Sequence, residues 1–138
     1  MEKLSSIMLV DDDPTTNFLN ELLLKRLNVA ERILVAESGN QALAMLEQLP
    51  TSAEPALLLL AVNMPGLSGI EFLEVYEQLP DAQHKDTIII MLTTSMAPGD
   101  LNRLRGLRIA GLINKPLTRE KVDGLLQRHF QRHLPAAS

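Results

Sequence analysis

Residues 7–14 read Ile7-Met8-Leu9-Val10-Asp11-Asp12-Asp13-Pro14, a short apolar run that stops at three consecutive carboxylates and a proline. An apolar run of this length fits a strand buried on both faces, and a proline straight after it fits the first turn of a helix. Strand, acidic turn and helix are thus written into one short stretch. Further apolar runs follow at Ile33–Val35, Ala56–Leu60, Thr87–Leu92 and Gly111–Ile113. Between them lie amphipathic segments of about ten to fifteen residues, the alternation that specifies βαβ units and a parallel sheet. The apolar stripes of these helices are Phe18, Leu22, Leu23 and Leu27; Ala42, Met45, Leu46 and Leu49; Phe72, Leu73, Tyr76 and Leu79; Leu101, Leu104 and Leu107; and Val122, Leu125 and Leu126. Leu57-Leu58-Leu59-Leu60 and Ile88-Ile89-Ile90 are apolar in both directions, which calls for helices on both sides of the sheet. The expected class is α/β, a three-layer sandwich of five strands and five helices.

A chain of 138 residues, 46% apolar, suits one domain over residues 1–138, with a frayed tail at 134–138, no room for an attached output domain, and a solvated loop at 80–86. The absence of cysteine excludes disulfides, thiolate metal sites and cysteine nucleophiles and fits a reducing, cytoplasmic setting. No apolar stretch approaches a membrane span, and the N-terminus lacks the long apolar region of a secretory signal. Four aromatics, Phe18, Phe72, Tyr76 and Phe130, give no stacking platform for single-stranded nucleic acid. The net charge of −4 hides an asymmetry: residues 1–100 carry 5 basic and 15 acidic side chains, residues 101–138 carry 8 basic and 2 acidic. The C-terminal third is a cationic surface, suited to an acidic protein partner rather than to nucleic acid.

In open α/β sheets ligands bind outside the carboxyl ends of the strands. Those ends carry Asp11, Asp12 and Asp13; Ala61, Val62, Asn63, Met64, Pro65 and Gly66; Thr93 and Thr94; and Asn114, Lys115 and Pro116. Carboxylates, a hydroxyl and an ammonium on one edge suit a hard divalent cation and a phosphoryl group, and the adjacent carboxylates call for a counter-charge, from a cation or from Lys115. Asp13 before Pro14 reads as a helix N-cap. One cap serves one helix, so Asp11 and Asp12 need another role. His129 and His133 stand four apart on the last helix, a metal-compatible spacing without a third ligand, and read as a solvated face.

Val10-Asp11-Asp12-Asp13-Pro14, Asn63-Met64-Pro65-Gly66, Leu92-Thr93-Thr94 and Lys115-Pro116, in this order and spacing, resemble the receiver domain of two-component response regulators. The resemblance covers nearly the whole chain and implies a flavodoxin-like sheet of order 2-1-3-4-5. It implies that Asp11, Asp12 and the backbone carbonyl of Asn63 hold Mg²⁺, that Thr93 hydrogen-bonds the phosphoryl oxygens and that Lys115 pairs with them. The expected partners are a sensor histidine kinase or phosphotransfer protein, and a downstream protein meeting the surface from the fourth helix to the fifth, with a homodimer also open.

The resemblance departs at its centre. The position where receivers carry the phosphorylated aspartate is Ala61, and a methyl group forms no acyl phosphate. Mg²⁺ affinity is expected to be weakened or lost with that ligand. Leu112 stands where many receivers carry an aromatic switch residue. The leading expectation is a stand-alone, non-enzymatic receiver module, a degenerate receiver or an Asp-to-Ala variant, acting through protein contacts. Two alternatives stay open: a haloacid-dehalogenase-like, Mg²⁺-dependent phosphohydrolase, with Asp11 as nucleophile and Asp13 as acid/base in a D-x-D-x-T pattern, and a decoy subunit that binds a kinase without turnover.

Overall fold

Alternation along the central strands sorts the core into two layers. Met8 and Val10, Leu58 and Leu60, and Ile89 and Met91 face one cluster, while Ile7 and Leu9, Leu57 and Leu59, and Ile90 and Leu92 face another. The computed structural model describes residues 2–50, 53–79, 87–94 and 98–134. Among these the order is β1 (Leu4–Val10), α1 (Pro14–Leu27), β2 (Ala30–Ala36), α2 (Gly39–Gln48), β3 (Leu57–Ala61), α3 (Gly69–Tyr76), β4 (Ile88–Thr93), α4 (Pro98–Leu104), β5 (Gly111–Asn114) and α5 (Arg119–Phe130). The strands form one parallel sheet of order β2-β1-β3-β4-β5, as the resemblance implied. Helices α2, α3 and α4 supply Ala42, Leu46, Ile70, Phe72, Leu73, Tyr76 and Leu104 to the first cluster, and α1 and α5 supply Leu24, Val122, Leu125 and Leu126 to the second. The three-layer sandwich is thereby established.

Caps explain where the helices begin. Asp13, Ser38, Ser68 and Thr118 each accept a backbone N–H of the first turn, and Ser68 with Glu71 completes a reciprocal capping box. Pro14 occupies the first turn of α1. The helix α3 starts so close to β3 that a Cβ on Gly69 would lie 2.1 Å from the carbonyl oxygen of Ala61. Only glycine fits there, and that contact fixes the loop that follows residue 61.

Four details differ from expectation. Strands β1 and β2 extend beyond their apolar runs because Leu4 pairs with Ala30, so Ser5, Glu31 and Arg32 join the ladder as exposed positions on or next to the β2 edge. Helix α1 is turned relative to its apolar stripe: Asn17, Asn20 and Leu24 are buried, while Phe18 is 62% exposed. The cause is polar, since the buried Asn17 donates to the carbonyls of Asp11 and Ala36. Helix α4 ends at Leu104, so Leu107 packs on the core from beyond the helix. Leu134, assigned to the frayed tail, is buried and its N–H donates to Asp123. The loop 80–86 with His84, residues 135–138, and the Leu101 side chain lie outside the described residues.

Candidate functional site

The register brings the strand ends together. Val10 pairs with Leu60, Ala61 with Leu92 and Thr93 with Asn114, so Asp11, Ala61, Thr93 and Lys115 stand along one edge of the sheet. The backbone N–H of Lys115 donates to the Thr93 carbonyl at 2.8 Å, anchoring the turn into α5, and the Lys115–Pro116 peptide is cis. Asp11, Ala61 and Thr93 are buried, whereas Asp12 and Asn63 are exposed.

The dominant interaction is an ion pair. Lys115 Nζ lies 2.6 Å from Asp11 Oδ2, with the side chains only 21% and 5% exposed. Because β3 and β4 lie between β1 and β5, this pair spans the ends of both intervening strands, including the end that carries Ala61. The remaining oxygens of Asp11 are also engaged: Oδ1 accepts the N–H of Asp13 at 3.0 Å, and the backbone oxygen accepts Asn17 Nδ2 at 2.8 Å. Mg²⁺ takes six oxygen ligands in near-octahedral geometry, keeping several waters and binding the protein through one or two carboxylates. Here one carboxylate is committed to an ammonium, one is exposed, and position 61 supplies a methyl group. Among the described residues no group of three His, Asp or Glu side chains is placed to hold a metal. The residues present do not fit the cation that the resemblance implied.

Asp13 is a cap. Its Oδ1 accepts the N–H of Thr15 and its Oδ2 the hydroxyl of Thr16, and the Thr16 hydrogen bond, ahead of the Thr15 N–H, holds its carboxyl below the usual carboxylate range. The phosphohydrolase reading needed Asp13 as a free acid/base and a further acid after the lysine. Asp123 instead bonds Gln127 and the N–H of Leu134, and Glu120 is exposed on α5, so that reading is withdrawn. Leu112 is 43% exposed on the edge strand β5 and lines a groove with Lys121, Gly124 and Arg128. On the cationic third, Arg103 is spoken for: its guanidinium pairs with Glu74 of α3 at 2.5 Å, and Glu77 accepts the N–H of Arg108. His129 keeps its imidazole pKa below the ordinary value through burial, and His133 is exposed.

Pattern reading missed two features beside the site. Asn17 lies outside the apolar stripe of α1, yet it ties the ends of β1 and β2 to the helix; a polar residue four positions past an N-cap was its only signal. A groove of about 390 Å³, lined by Thr16, Leu19, Asn20, Thr94, Lys115 and Leu117, opens between α1 and the turn into α5. Leu19 is 55% exposed there, so the groove joins an apolar wall to the polar edge.

A parallel sheet of this order with an acid, a hydroxyl and a lysine at its carboxyl edge defines a class of signalling domain with a flavodoxin-like fold. The chain belongs to the response regulator receiver domain family, whose description it matches over residues 7–127. It is 30% identical over 124 residues to the signal transduction histidine-protein kinase BarA of Escherichia coli, covering 90% of this chain and 13% of that protein. It is 32% identical over 98 residues to the response regulator Rcp1 of Synechocystis, covering 69% of this chain and 65% of that one. The chain therefore spans a small part of the kinase it resembles. Among solved structures, a two-component response regulator from Cytophaga hutchinsonii superposes with a TM-score of 0.83 at 27% identity, covering 95% of this chain and all of that one.

Proposed function

We propose that this chain is a receiver-type signalling module, not an enzyme, that makes its contacts without accepting a phosphoryl group at residue 61. One observation carries the reading: Ala61 is 1% exposed at the end of β3, in the row between Asp11 and Thr93, and presents a methyl group. Acyl phosphate formation needs a carboxylate oxygen as nucleophile. The neighbouring carboxylates are committed elsewhere or face solvent: Asp11 to Lys115, Asp13 to its cap. In this role Thr93 and Lys115 keep the phosphoryl-site positions without a phosphoryl to bind. Mg²⁺ binding at Asp11, Asp12 and the Asn63 carbonyl is weak or absent.

The partners that fit are a sensor histidine kinase or a phosphotransfer protein at the strand-end edge, and a downstream protein on the surface from α4 to α5, where Leu112, Arg105 and Arg128 are exposed. A homodimer through that surface and a cytoplasmic setting accompany this reading. Among the described residues no helix is long and apolar enough to cross a membrane. Treatment with acetyl phosphate and Mg²⁺, followed by intact mass measurement, tests the proposal. The expected mass is unchanged; stoichiometric gain of one phosphoryl group would overturn it.

A further inference from the structure

We propose that the Lys115 ammonium is the resident cation of the acidic edge, holding Asp11 so that the site is closed to divalent cations until that lysine is displaced. The inference rests on the reading of this edge as the receiver's phosphoryl site, and it adds what occupies it. Three observations converge. Every oxygen of Asp11 already accepts a hydrogen bond: Oδ2 from Lys115 at 2.6 Å, Oδ1 from the N–H of Asp13 at 3.0 Å, and the backbone oxygen from Asn17 at 2.8 Å. The pair is part-buried, at 21% and 5% exposure, so the attraction is less screened than at the surface and a hydrated cation would have to break it before gaining Asp11 Oδ2 as a ligand. At the end of β3, between the strands that carry the two partners, position 61 is an alanine, with no carboxylate there to draw the ammonium away from Asp11.

A buried carboxylate needs one counter-charge, and a covalently tethered ammonium supplies it without the entropy of capturing an ion. The consequence is a module whose fold is insensitive to Mg²⁺ while its acidic pair stays intact. Removing the ammonium should uncover Asp11 and convert a closed edge into a weak metal site formed with Asp12.

Mn²⁺ binding followed by water-proton relaxation, with thermal melts in MgCl₂ or chelator at matched ionic strength, tests this on the full chain and on Lys115→Gln. The parent is expected to melt at the same temperature with and without Mg²⁺. Lys115→Gln should melt lower in chelator, regain the loss in Mg²⁺ because the ion binds only the folded form, and bind Mn²⁺ at least about tenfold more tightly than the parent. Adding Asp11→Asn should abolish that gain. Parent stabilisation by Mg²⁺, or equal Mn²⁺ affinity in parent and Lys115→Gln, would overturn the proposal. Should the variant fail to fold, NMR of the parent decides: the Lys115 side-chain resonances are expected to be unmoved by Mg²⁺, and their displacement would overturn it. A parent that Mg²⁺ stabilises but that gains no phosphoryl mass would refute this inference and leave standing the reading that residue 61 accepts no phosphoryl group.

Discussion

The methyl group of Ala61 and the missing side chain of Gly69 meet at one point, since a Cβ on Gly69 would strike the Ala61 carbonyl oxygen at 2.1 Å. Backbone cannot yield as a flexible side chain does, so Gly69→Ala is expected to lower stability by about 3 kcal/mol in denaturant unfolding. A loss below measurement error would mean that the β3 to α3 connection is looser than its geometry. Tyr76 offers a second residue-scale test, because it is the only tyrosine in a chain without tryptophan. Burial, partly opposed by a hydrogen bond with Thr87, pushes its phenol up to about 12 from an ordinary 10.0. The unfolded chain releases this proton first, so the stability that the neutral phenol contributes is fully present below pH 10 and is lost as pH rises toward 12. Phenolate absorbance in the native protein should rise near pH 12, and the alkaline loss of stability should shrink in Tyr76→Phe. A native titration at the ordinary value would contradict the burial.

Among the elements, the strands were legible because β3 and β4 are apolar in both directions and their neighbours supply the alternating layers. The stripes of α2, α3 and α5 were legible for the same reason. Helix α1 was not. Its buried face carries Asn17 and Asn20, and a search for apolar periodicity assigned inward the Phe18 that the structure leaves 62% exposed. Hydrogen bonds to the ends of β1 and β2 set its rotation, and such bonds leave no periodic trace. Lys115 was legible as one of two possible counter-charges to the carboxylates, the other being a cation, but not its choice of Asp11, because the partners are 104 residues apart in sequence and meet only once the sheet is ordered. In α5, a Cβ on Gly124 would meet nothing within 4 Å, so Gly124→Ala should raise stability by about 1 kcal/mol through helix propensity alone. A loss of stability there would show that the groove between β5 and α5 is tighter than it stands.

At the scale of the whole molecule, charge is divided between an acidic body and a cationic C-terminal third, and part of that division is internal bookkeeping. Arg103 and Glu74 neutralise one another across α4 and α3 with both side chains about half exposed, at 47% and 50%. Solvent screening limits such a pair, so Arg103→Ala should cost under about 1 kcal/mol in a thermal or denaturant melt. A larger loss would make the pair a structural clamp. The central claim is that position 61 faces the acidic edge and that its methyl group alone withholds phosphoryl acceptance. Intact mass of the parent and of Ala61→Asp after acetyl phosphate and Mg²⁺ tests it most directly. The expected result is an unmodified parent beside a variant that gains one base-labile phosphoryl group; a phosphorylated parent, or a folded variant that stays unmodified, would contradict it.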